Sequence, residues 1–179
     1  LLGDMHPDYA VCMEALAMLY NKTGQYTKAE SLYLLALDIW KKVYGEFHPA
    51  YANSIDNLAT FYDRNSLYTK AEPLRIQALE IRKKVLGESH PDFAGSLNNL
   101  AALYYAMGQF GKAEQLYIQS KDIRKRLFGD IHPDYAVSLS NLAFLYDKMG
   151  QFPKAESFYL QTLEVMKKLL GESHPGYAN

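Results

Sequence analysis

Five histidines each precede a proline, at His6-Pro7, His48-Pro49, His90-Pro91, His132-Pro133 and His174-Pro175, at a constant interval of 42 residues. Imidazoles ligate metals and move protons near neutral pH, so they are the first candidates for chemistry. A metal site needs its ligands to converge within a few ångströms. An interval of this length instead carries each histidine into its own structural unit. Each is therefore expected to shape the turn before its proline, and no metal is expected. Serine, histidine and aspartate are all present, but no nucleophile motif or glycine-rich phosphate loop unites them. No catalytic residue and no cofactor is expected, and the chain reads as a non-enzyme. The single cysteine, Cys12, can form neither an internal disulfide nor a cysteine-rich zinc site, and is expected as a small buried helix residue. Basic clusters at Lys41-Lys42, Arg82-Lys83-Lys84, Arg124-Lys125-Arg126 and Lys167-Lys168 could contact phosphates. They sit where cations complement the negative end of a helix, after Asp38, Glu80, Asp122 and Glu164, and no stacking aromatics interleave with them. With a net charge of −1, no nucleic-acid partner is expected.

The same interval governs the rest of the chain. Gly3, Gly45, Gly87, Gly129 and Gly171 align, as do Leu16, Leu58, Leu100 and Leu142. So do Ala17, Ala59, Ala101 and Ala143, then Tyr20, Tyr62, Tyr104 and Tyr146. The triplet Lys-Ala-Glu recurs at residues 28–30, 70–72, 112–114 and 154–156. A strict period in this range means a stacked array of one supersecondary unit. The expected organisation is one array over 1–179: an inter-repeat turn at 1–5, repeats at 6–47, 48–89, 90–131 and 132–173, and the start of a fifth at 174–179. Because both ends fall inside inter-repeat turns, the chain reads as a piece of a longer protein. No apolar run is long enough for a membrane span and no signal-peptide pattern is present. The expected location is cytoplasmic, with no membrane partner.

Two helices per unit must position these residues. Pro49 opens helix A, whose apolar positions Tyr51, Ile55, Leu58, Ala59 and Tyr62 recur at helical spacing. Helix A should stop near residues 64–66, where Gly24, Gly108 and Gly150 suit a left-handed turn and Ser66 departs from the pattern. Helix B should open with a capping box, Thr27 with Glu30 and Thr69 with Glu72, with Gly111 and Pro153 at the threonine position of the later units. Pro73 is expected in its first turn. Leu32, Leu35, Ile39 and Val43 are expected to face inward, and about 18 residues of helix should span about 27 Å. Alanines on both helices let the axes approach to about 8–10 Å. One pair cannot bury its apolar face alone, whereas four stacked pairs can.

The residues Leu100, Ala101, Leu103, Tyr104, Gly108, Phe110, Ala113 and Tyr117 resemble the tetratricopeptide repeat pattern. The 42-residue period, the His-Pro-Asp-Tyr-Ala opening and the Leu-Asn-Asn-Leu-Ala segment at 97–101 resemble the kinesin-light-chain subclass. The resemblance spans essentially the whole chain. It implies an all-α fold, a right-handed α-solenoid of stacked antiparallel helix pairs, with a concave surface lined by the A helices. It also implies a protein-interaction scaffold that binds a peptide or partner-protein segment there.

Matching to that pattern places particular helix-A rows in the groove. Asn57, Asn99 and Asn141 form one row, with Ala15 in the first unit; an amide offers donors and an acceptor to any peptide backbone. Beside it lie Glu14, Asp56, Asn98 and Ser140. Further on come Met18, Thr60, Ala102 and Phe144, then Asn21, Asp63, Tyr105 and Asp147. The first half of this surface reads as acidic and the second as aromatic. Many kinesin-light-chain repeats carry Lys or Arg just before a helix-B alanine, where this chain has Leu35, Gln77, Gln119 and Gln161. A preference for acidic cargo is therefore not implied. The alternative is a rigid spacer, or a segment that associates end to end with copies of itself through its terminal repeats.

Overall fold

The computed structural model describes residues 6–171. The expected turn at 1–5, with Gly3, and the fifth-repeat opening at His174-Pro175 lie outside the described residues. Eight α-helices, and no strands, make up the described residues. The chain divides into two compact units, Leu1–Gly87 and Glu88–Asn179. The first unit holds α1 (Pro7–Lys22), α2 (Tyr26–Tyr44), α3 (Pro49–Arg64) and α4 (Tyr68–Leu86). Within it, α1 pairs with α2 and α3 with α4, and α2 packs against α3. The second unit repeats this plan with α5 (Pro91–Ala106), α6 (Phe110–Phe128), α7 (Pro133–Lys148) and α8 (Phe152–Leu170).

The His-Pro dipeptides start the A helices. Each proline takes the first helical position, where no N–H partner is needed. Each preceding histidine is the N-cap. Nδ1 of His6, His48, His90 and His132 accepts the backbone N–H two residues on, at 3.2, 3.1, 3.1 and 3.1 Å. An Nδ1 that accepts in this way places the ring proton on Nε2. Two of these rings also stack on the end of the preceding B helix: His48 on Tyr44 at 4.3 Å and His132 on Phe128 at 4.2 Å.

The turn from A to B takes the left-handed conformation at Gly24, Gly108 and Gly150. Ser66 adopts it too, at φ 59°; an L-residue there costs about 1 kcal/mol. The B helices begin two residues earlier than a capping box would place them. Their N-caps are Gln25 and Leu67, and neither makes a side-chain cap. Thr27 and Thr69 are thus already inside the first turn, and Glu30 is engaged elsewhere, as described below. Pro73 sits in the second turn of α4, not the first.

The core runs through small residues. Ala17, Ala29, Ala36, Ala59, Ala71, Ala78, Ala101, Ala113 and Ala143 are fully buried. In α2 the inward face is Ala29, Tyr33, Ala36 and Ile39, so Leu35 and Val43 are exposed and Leu32 is half-buried. The face follows the alanines because only they let the backbones approach this closely. At the third position of the row that begins with Ala36 and Ala78, Ser120 replaces alanine, and its buried hydroxyl donates to the Ala94 carbonyl at 2.8 Å. In the first repeat, Leu16 and Cys12 are exposed where Leu58 and Ser54 are buried. Among the described residues no helix pair precedes α1 to cover that side.

Candidate functional site

The recurring Lys-Ala-Glu and Tyr positions form a clamp between successive repeats. In the first unit the Tyr62 hydroxyl on α3 donates to Glu30 on α2 at 2.6 Å. Lys70 lies over the Tyr62 ring, 4.9 Å from its centroid, and bonds Glu30 at 2.9 Å. The second unit repeats the bond between Tyr146 and Glu114 at 2.6 Å, with Lys154 over the Tyr146 ring at 4.8 Å. The Tyr62 hydroxyl and then Lys70 hold the Glu30 carboxyl below its ordinary value. Burial first, then the Glu114 bond, pushes the Tyr146 phenol up to about 12.

In the first unit the expected ligand rows separate into two groups. Met18, Asn57 and Thr60 line one hollow of about 70 Å³ together with Asn21, Lys22, Tyr33, Phe61 and Arg64. Asn57 also donates from Nδ2 to Glu14 Oε2 at 2.9 Å. Asp56 is drawn the other way. Arg75 Nη1 bonds its Oδ1 at 3.0 Å, and Arg82 Nη1 bonds its Oδ2. The network continues from Arg75 Nη2 to Thr60 Oγ1 at 3.0 Å and from Arg82 Nη2 to Asn53 Oδ1 at 2.7 Å. Both arginines are buried. Burial raises the Asp63 carboxyl, opposed by Arg75 and Arg64.

Neither Arg75 nor Arg82 belongs to the rows singled out in the sequence. The period held the clue: Arg75 aligns with Tyr33, Tyr117 and Tyr159, and Arg82 with Trp40, Arg124 and Met166. A cation interrupting an aromatic row calls for a buried carboxylate nearby. The acidic character read from helix A alone is therefore offset by cations from helix B, and Lys22 and Arg64 stand at the hollow.

In the second unit Asn141 donates from Nδ2 to Asn98 Oδ1 at 2.7 Å. This is the same step from one A helix to the next that joins Asn57 to Glu14. Asn99 is half-buried and makes no side-chain hydrogen bond among the described residues. Phe144 is exposed and meets Tyr159 edge-on at 5.6 Å. Tyr105 packs against Phe110 at 5.9 Å. The Tyr159 phenol is raised by burial and then by Asp147 and Tyr105. This local surface is aromatic with one carboxylate, in contrast to the amide- and cation-rimmed hollow of the first unit.

The basic clusters at the ends of the B helices are held by carboxylates. Lys41 pairs with Glu46, Lys42 with Asp38, Lys125 with Asp130 and Lys168 with Glu164, at 2.5–2.9 Å. Arg124 instead bonds the Asp134 carbonyl and the Ser138 hydroxyl.

Comparison with known proteins agrees with this architecture. The tetratricopeptide repeat family matches residues 9–65 and 92–168, and a second description of the same repeat matches 52–92. No curated protein matches the chain significantly. Among solved structures, BtubC (BKLC) from P. vanneervenii is 29% identical with a TM-score of 0.80, over 95% of this chain and 68% of that one. A Podosopora anserina protein described as a putative kinesin light chain with nearly identical TPR-like repeats is 30% identical with a TM-score of 0.81, over 96% and 82% of the two chains. A singly substituted form of that protein is 28% identical with a TM-score of 0.82, over 99% and 82%.

Proposed function

The chain belongs to the tetratricopeptide repeat family, an all-α solenoid of repeats, and from that premise we propose that it is a non-enzymatic scaffold that binds a peptide segment of a partner protein along its A helices. Repeats of this family generally mediate protein–protein interaction. One observation carries the reading further. Met18, Asn57 and Thr60, placed in the ligand rows by the repeat pattern alone, line a single hollow with Tyr33 and Phe61. Asn57 and Asn141 each spend one N–H on the neighbouring A helix, which leaves an N–H and a carbonyl to meet a peptide backbone. Exposed Phe144 beside Tyr159 adds a site for an apolar side chain. The cytoplasmic location expected from the sequence belongs to this proposal.

Peptides selected from a random library against the whole chain test it. Met18 and Phe144 are exposed and have no structural partner to lose beyond the Tyr159 edge. Met18→Arg and Phe144→Ala should therefore each weaken selected peptides about tenfold, the loss of one good contact, with unchanged helicity. Peptides that bind both variants and the Asn57→Ala/Asn99→Ala/Asn141→Ala triple variant at full strength would remove the A-helix rows from ligand recognition.

A further inference from the structure

The second repeat departs from the period at positions that meet in space. Phe61 stands where the other three repeats carry leucine, Ser66 where they carry glycine and Leu67 where they carry glutamine. All three line a hollow of about 480 Å³ between the start of α2 and the turn after α3, together with Tyr26, Thr27 and Arg64. Packing accounts for Phe61, which meets Tyr33 at 5.5 Å. It does not account for the other two. Ser66 holds a left-handed backbone that glycine would take without strain. Leu67 puts an apolar side chain, 42% exposed, where glutamine would keep the surface polar. Neither change improves the packing of the chain, so both point to an occupant of the hollow.

The walls set the chemistry of that occupant. Phe61, Leu67 and the exposed Tyr26 ring offer apolar surface. Arg64 and the hydroxyls of Thr27 and Ser66 make no hydrogen bond or ion pair among the described residues. Glu30 also borders the hollow, but its carboxylate is held by Tyr62 and Lys70. Phe61 and Arg64 line the smaller hollow beside Met18 and Asn57 as well, so the two hollows share a wall. We propose that the larger hollow receives a tyrosine side chain of the same peptide that lies along the A helices, an inference that rests on the peptide reading above. The ring packs on Phe61 and Leu67, and its hydroxyl accepts from Arg64 and donates to Ser66 or Thr27. A phenol suits these walls because it both donates and accepts. An indole N–H cannot accept from Arg64, a phenylalanine leaves the polar groups unmet, and an acidic side chain leaves the apolar wall bare.

Peptides selected from a random library against the whole chain, then titrated into variants, test this. Tyrosine should be enriched at one position of the selected peptides. The double variant Ser66→Gly/Leu67→Gln restores the residues of the other three repeats, so its melting temperature should be unchanged or higher. It should nonetheless bind the selected peptides about tenfold more weakly. Replacing the enriched tyrosine by alanine should cost about tenfold on the native chain and little more on the double variant, because both changes remove one contact. Absence of tyrosine enrichment, full-strength binding by the double variant, or two losses that simply add would each overturn the proposal. Met18→Arg separates the two readings. Peptides weakened by Met18→Arg but indifferent to the double variant overturn this hollow alone, and peptides indifferent to both overturn it together with the A-helix rows.

Discussion

Two guanidinium groups share one carboxylate at Asp56, and all three side chains are largely withdrawn from water. Buried charges are tolerated only when paired, so Asp56 holds Arg75 and Arg82 in place more than it faces a ligand. Replacing Asp56 with Asn leaves both cations without a counter-charge and should cost about 3–5 kcal/mol in urea unfolding. Arg75→Tyr restores the residue type found at this position in the other three repeats. It leaves Asp56 paired with Arg82, so its cost should stay below about 2 kcal/mol. If the two substitutions cost the same, the carboxylate is not what stabilises the buried arginines.

At the scale of the helix, the repeat motif works as a joint. Lys70 covers the Tyr62 ring while Glu30 of the preceding repeat accepts its hydroxyl, which ties α2 to α3. The Glu30 carboxyl is lowered, first by the Tyr62 bond and then by Lys70, from an ordinary value of 4.5. Lowering favours the ionised form in the folded chain. The joint's contribution is therefore present above about pH 4.5 and fades as pH falls through the folded value. Glu30→Gln should melt lower than the native chain at pH 7, and the gap should narrow as the pH falls below 4.5 and through the lowered folded value. A gap that stays constant with pH would mean that the carboxylate's charge contributes nothing. This joint was only half legible in the sequence. The period displayed Tyr62, Lys70 and Glu30 as fixed positions, but their contacts cross between repeats, and Thr27 with Glu30 read locally as a capping box. The left-handed turns at Gly24, Gly108 and Gly150 were legible because a single residue's backbone decides them. The histidine caps were placed correctly at the turn, while Nδ1 as the acceptor emerged only with side-chain positions. Arg75 was overlooked and Arg82 was read only as part of a helix-end basic cluster, because ligand rows were sought on helix A and the carboxylate of both lies 19 and 26 residues earlier in the chain.

At the scale of the molecule, stability in a repeat array is a sum of helix-pair terms and nearest-neighbour contacts, with no single centre. The core agrees with this: each pair has its own fully buried alanine on helix A and an alanine at the start of helix B, buried in all four. Ala101 is 0% exposed on α5, which pairs with α6. Ala101→Arg forces a long cation into that contact and should cost several kcal/mol, on the order of 3–5, through overpacking and an unpaired buried charge. The loss should also be local. Hydrogen exchange should accelerate first in α5 and α6, then in α7, which packs on α6, while α1 and α2 keep their protection. Uniform acceleration across all eight helices would instead mean that the chain unfolds as one cooperative body. A ligand stretched along several A helices would then report damage anywhere in the array, whereas in a locally coupled chain Ala101→Arg should weaken peptides seated on Tyr105 and Phe144 and spare those held by Met18 and Thr60.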